Sequence, residues 1–94
     1  MLVKVNFYAT LRSIVGQKTV ELNLPPTVTA IELARQITRD YPAMRRELLD
    51  GEGNFLPHMK FFVNGRQAEY LPEKFDTVLQ SDDKVDIFPP VGGG

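Results

Sequence analysis

From Leu2 to Ala9 the chain alternates, with Val3, Val5 and Phe7 on one parity and Lys4, Asn6 and Tyr8 on the other. A period of two predicts a half-buried strand whose inner face carries the odd-numbered residues. Thr10 to Gly16 is expected to be a loop or short turn. Val20, Leu22 and Leu24 then alternate with Thr19, Glu21 and Asn23, which predicts a second strand, stopped by Pro25-Pro26 and close enough to the first for a hairpin.

The period changes at Thr29. Thr29-Ala30-Ile31-Glu32 fits a capping box, in which the threonine hydroxyl accepts from the amide three residues on and the glutamate reaches back. A helix is expected to begin there, with Val28 and Leu33 as a hydrophobic staple. Ala30, Leu33, Ala34, Ile37 and Tyr41 form its apolar stripe, and Pro42 ends it. Pro42 also suits the first position of a short second helix, Ala43 to Leu49, followed by the polar connection Asp50 to Asn54.

Met59 to Val63, Asn64-Gly65 and Arg66 to Leu71 read as strand, type I′ turn and strand, because Asn and Gly tolerate the positive φ that the turn requires. Leu71 to Ser81 is irregular, and Lys84 to Phe88 is the last strand. The predicted order is β-β-α-β-β-β, one domain over residues 1–88. Residues 89–94, Pro-Pro-Val-Gly-Gly-Gly, form a tail that cannot continue a paired strand and carries little side chain to pack.

Composition narrows the functions available. Ninety-four residues, 43% hydrophobic, with a formal net charge of -1, suit one small globular domain. Eleven Lys and Arg against twelve Asp and Glu leave no basic excess for a phosphate backbone, so no nucleic-acid partner is expected. No apolar run approaches the roughly 20 residues that span a bilayer, so no membrane partner is expected and the chain reads as cytoplasmic. The absence of cysteine removes disulfides, thiolate nucleophiles and sulfur-ligated metal. No metal site is expected: His58 stands alone, and Asp50, Glu52 and Asn54 lack the glycine and glutamate that complete a calcium loop.

The tail remains as candidate chemistry. Behind a stiff Pro89-Pro90 element, Gly92, Gly93 and Gly94 can pass through a channel too narrow for a Cβ and present an unobstructed α-carboxylate. Ordering three such residues costs about 1 to 2 kcal/mol each, so a partner must also grip the folded body. Strand parity locates that grip. Tyr8, Phe62 and Phe88 all point away from the predicted core, and outward aromatics on one sheet fit a partner-binding patch.

The element order, the start Phe7-Tyr8-Ala9-Thr10-Leu11-Arg12, and the end Asp83-Lys84-Val85-Asp86-Ile87-Phe88-Pro89-Pro90-Val91-Gly92-Gly93-Gly94 together resemble the MoaD/ThiS sulfur-carrier family. Within it, Phe-Pro-Pro-Val-x-Gly-Gly is most similar to the small subunit of molybdopterin synthase. The resemblance implies an α+β, β-grasp (ubiquitin-like) fold, a mixed sheet of about five strands with one main helix packed on it and a short second helix. It also implies a carrier that is not catalytic alone. A ubiquitin-activating-type adenylating enzyme (MoeB/ThiF-like) would use ATP and magnesium to adenylate Gly94, and sulfur transfer would then give a C-terminal thiocarboxylate. No cofactor is expected on this chain itself. The thiocarboxylate would serve the large subunit of molybdopterin synthase (MoaE-like) or another sulfur-accepting enzyme.

By the same resemblance, Gly93 and Gly94 are the reactive tip. Phe88, Pro89, Pro90, Val91 and Gly92, with Tyr8 and Arg12, face the partner, and Phe62 joins them by parity alone. Two features depart from the family pattern. Ser81-Asp82-Asp83 replaces the usual glycine before the last strand, and the long span from Asp40 to Lys60 is similar to carriers that serve cysteine, thiamine or other thio-metabolite synthesis. Some archaeal relatives become attached to lysines as ubiquitin-like modifiers, and the same tail chemistry would serve that role.

Overall fold

The computed structural model describes residues 1–90. The first strand, β1 (Leu2–Phe7), buries Val3, Val5 and Phe7, as its alternation predicts. Its antiparallel neighbour β2 (Thr19–Asn23) sets Val20 opposite Val5 and Leu22 opposite Val3, so the apolar parities of the two strands meet on one face. Between them the chain is a helix, α1 (Thr10–Val15), and not the loop or short turn that the sequence suggests. It has no side-chain N-cap and is six residues long, so propensity gives little sign of it. Fully buried Leu11, with Ile14 and Val15 packed against the core, supplies the tertiary reason for it. Gly16 ends it at φ 89, a left-handed cap that releases its amide to the carbonyl of Arg12.

Helix α2 (Ala30–Asp40) carries the expected capping box in full. The Glu32 amide donates to Thr29 Oγ1 at 3.3 Å and the Thr29 amide donates to Glu32 Oε1 at 2.9 Å. Ala30, Leu33, Ala34 and Ile37 are completely buried and Tyr41 half-buried, so the predicted stripe is the face laid on the sheet. The short second helix begins as a 3₁₀ turn, Pro42–Met44, with Pro42 in its first turn, and continues as α3 (Arg45–Leu48). In the connection that follows, Asp50 accepts from the amides of Glu52 and Asn54 at 2.8 and 3.0 Å. Its carboxylate is thus spent on its own loop, and these bonds hold it below the usual carboxylate pKa.

Strand β3 (Lys60–Val63) turns through Asn64 and Gly65, at φ 51 and 83, into β4 (Arg66–Gln67). The predicted hairpin is present, but its second strand is two residues long and not six. Ala68 is fully buried at the start of a 3₁₀ turn, Ala68–Tyr70, and this inward step breaks the alternation. A further 3₁₀ turn, Lys74–Asp76, precedes the last strand, β5 (Lys84–Phe88). Where the resemblance calls for glycine before that strand, Asp82 adopts φ 73, and aspartate is one of the few side chains that tolerate this conformation.

The sheet order is β2-β1-β5-β3-β4. β1 and β5 lie parallel at its centre, and β3 runs antiparallel to β5. In this register Val5, Val85 and Val63 form one inner row and Phe7, Ile87 and Phe61 the next, all buried beneath α2 in one core. A mixed five-stranded sheet with its main helix across one face is the β-grasp, ubiquitin-like fold. The parallel pair brings the C-terminal ends of its two strands together: the residue after β1 is Tyr8 and the last residue of β5 is Phe88.

Candidate functional site

The outer face follows from the same register, read on the other parity. Asn6 of β1 is paired with Asp86 of β5, and Asp86 with Phe62 of β3. One step toward the end of β5 lie Tyr8 and Phe88, beside Lys60. The Tyr8 and Phe88 rings stack, centroids 4.1 Å apart and planes 8° from parallel. Phe62 meets Phe88 edge-on, at 5.4 Å and 77°. The three aromatics singled out by parity thus form one continuous, half-buried wall on the side of the sheet opposite α2. Lys18 Nζ lies 5.4 Å from the centre of the Tyr8 ring, within range of a cation–π contact.

Asp86 lies within this wall. It is 7% exposed on the outer face of the central strand. Its Oδ1 accepts from the Tyr8 hydroxyl at 2.8 Å and from Asn6 Nδ2 at 2.9 Å, while Lys84 Nζ stands 4.0 Å from Oδ2. The hydrogen bond to the carboxylate, then desolvation and the carboxylate's charge, raise the Tyr8 phenol above its ordinary pKa. Tyr8 therefore stays a neutral donor. Sequence reasoning missed Asp86 and Asn6; the available signal was their matching parity on strands that prove to be neighbours.

Pro89 is half-buried and Pro90 exposed, directly beyond Phe88. The tail therefore departs from the aromatic wall itself. Arg12 is exposed on α1, outside the aromatic contacts, and His58 is an exposed loop residue. Val91, Gly92, Gly93 and Gly94 lie outside the described residues. Among the described residues no group of three or more His, Cys, Asp or Glu is placed to hold a metal ion, and no helix is long and apolar enough to cross a membrane.

Comparison with known proteins places this geometry. The ThiS family model matches residues 5–94, nearly the whole chain, including the last strand and the glycine tail. The chain belongs to the ThiS family. Small archaeal modifier protein 3 of Haloferax volcanii is 32% identical over 94 residues, covering all of both chains. The solution structure of small archaeal modifier protein 1 from Methanosarcina acetivorans superposes with a TM-score of 0.85 at 26% identity, over 99% of this chain and 96% of that one. A Pyrococcus furiosus protein described as a candidate molybdopterin converting factor, subunit 1, gives 0.77 at 26% identity, over 97% and 99%. This ThiS-family chain is thus a ubiquitin-like protein of the sulfur-carrier and modifier kind.

Proposed function

We propose that the α-carboxylate of Gly94 is the reactive group and that the Tyr8–Phe62–Phe88 wall docks the enzyme that activates it. The observation that carries this is the departure of the tail from the wall: Phe88 belongs to the stack and Pro89-Pro90 follow at once. A partner gripping the wall has the glycines held one short, stiff element away. An α-carboxyl group has an ordinary pKa of about 3.5 and is ionised at neutral pH, which makes it a poor acceptor. Adenylation by a ubiquitin-activating-type enzyme, with ATP and magnesium bound by that partner, joins the carboxylate to the α-phosphate as pyrophosphate leaves, so that AMP replaces oxide as the leaving group. A sulfide-level sulfur nucleophile then attacks the carbonyl carbon and AMP leaves, which gives a thiocarboxylate with no change of oxidation state. Since the chain has no cysteine, the sulfur comes from another protein.

In this reading the chain works in the cytoplasm and donates its sulfur to a molybdopterin synthase large subunit, which the Phe-Pro-Pro-Val-x-Gly-Gly ending favours. A second reading, attachment of Gly94 to lysines, is favoured by full-length similarity to a small archaeal modifier protein. The experiment is pyrophosphate exchange by the adenylating enzyme of the same organism. Phe88→Asp should raise KM for the carrier by about tenfold or more, the loss expected when a charge enters an apolar contact, with the fold retained. An unfolded Phe88→Asp protein would show that the wall is a minor core and not a docking surface.

A further inference from the structure

Asp86 is the one buried charged or polar side chain among the described residues. It sits on the face away from α2, where nothing in the core requires an acid. An apolar residue would pay no desolvation penalty there, so the acid is poorly explained by stability alone. It does fix geometry. Thr19 Oγ1 donates to Asn6 Oδ1 at 2.6 Å, Asn6 Nδ2 donates to Asp86 Oδ1, and the Tyr8 hydroxyl donates to the same oxygen. The chain of bonds crosses from β2 through β1 to β5 and ends on the ring that stacks on Phe88.

We propose that Asp86 is a positioning residue for the docking wall: by holding the Tyr8 hydroxyl, it sets the plane on which Phe88, the last residue before Pro89-Pro90, is stacked. Asp86 acts on the partner through Tyr8 and not by its own charge, since the side chain is buried and its Oδ1 is occupied by Tyr8 and Asn6. This rests on the docking role of the wall given above.

The two bonds that matter share Oδ1, so substitutions separate acceptor from charge. Asp86→Asn keeps an oxygen for both donors and loses the charge; Asp86→Leu keeps the branching at Cγ, is larger, and has no acceptor. Two readouts are needed, one independent of any partner. In nuclear magnetic resonance spectra of the isolated chain, Asp86→Leu should remain folded but lose the ring-current shifts of the Tyr8 and Phe88 protons, while Asp86→Asn keeps them. In pyrophosphate exchange with the adenylating enzyme of the same organism, Asp86→Leu should raise KM for the carrier about tenfold with kcat unchanged, the scale of one lost charge-assisted hydrogen bond, and Asp86→Asn should stay within about twofold.

Unchanged ring-current shifts in Asp86→Leu would overturn the proposal. So would an unchanged KM in Asp86→Leu where Phe88→Asp raises it, because the wall would then dock without being positioned. Equal rises in KM for Asp86→Leu and Asp86→Asn would mean that the partner reads the charge. An unchanged KM in Phe88→Asp as well would instead remove the docking role itself.

Discussion

Ala9 carries a conformation that L-residues avoid, φ 54 with ψ -127, between Tyr8 and the first turn of α1. This is the dihedral pair of the first central residue of a type II′ turn, where glycine is preferred. Ala9→Gly is therefore expected to stabilise the fold by about 1 kcal/mol, the lower end of the cost of such a conformation, as read from denaturant unfolding. The strain sits where the chain must leave β1 without displacing Tyr8 from the wall. Loss of stability in Ala9→Gly would show that the position carries no strain.

Tyr8 gives a pH dependence with a definite sign. Its phenol is raised, chiefly by the hydrogen bond to Asp86, so the folded state holds the proton longer than the unfolded chain. The stabilisation is fully present below the ordinary tyrosine range, about 10, and is lost as pH rises through the raised value. Ultraviolet titration should show Tyr8 ionising late, and Asp86→Leu should bring it back toward the ordinary range. A late tyrosine that persists in that variant would assign the shift to burial alone.

Among the elements, α1 is the informative case. Six residues without a capping side chain carry too little local signal to stand apart from a turn, and the buried Leu11, with Ile14 and Val15 against the core, shows why the segment folds. Leu11→Ala is expected to cost about 2 to 5 kcal/mol in denaturant unfolding, as for any fully buried leucine, whereas a loop residue would cost far less. The capping box was legible because its two reciprocal bonds are encoded in four consecutive residues. Thr29→Ala should cost about 1 kcal/mol of stability. The Thr29 amide holds the Glu32 carboxyl below its ordinary pKa, so that contribution is present above the ordinary glutamate range and fades as pH falls through the depressed value. Glu32→Ala should accordingly flatten the acid limb of the stability profile.

The same division explains the site. Period-two alternation sorted Tyr8, Phe62 and Phe88 onto one face, which local pattern can do. It could not show that β1 and β5 are neighbours, because parallel pairing across nearly the whole chain leaves no short-range trace. Hence the wall was legible as outward aromatics, whereas the parity that Asp86 shares with Asn6 acquires meaning only once the two strands are known to be neighbours. β4 failed for the complementary reason: Ala68 turns inward after two paired residues, a tertiary decision that an alternating sequence conceals.

At the scale of the whole molecule, the buried core among the described residues runs from Val3 to Ile87, and the reactive tip is assigned to the chain beyond it. Removing Gly93 and Gly94 should leave the melting temperature nearly unchanged and abolish activation, because residues beyond the core contribute little to folding. A large drop in melting temperature would mean that the glycines pack. The fold's contribution to chemistry is then positional: the parallel central pair sets the first and last strands side by side, the wall forms across them, and the tail starts from its edge.

Intact mass after incubation with the adenylating enzyme of the same organism, ATP, magnesium and a sulfur source tests the Gly94 assignment most directly. A gain of about 16 Da, oxygen replaced by sulfur at the activated carboxylate, is the expected result, confined to the C-terminal peptide and absent without ATP. An unchanged mass, with an enzyme shown to be active on another carrier, would contradict it.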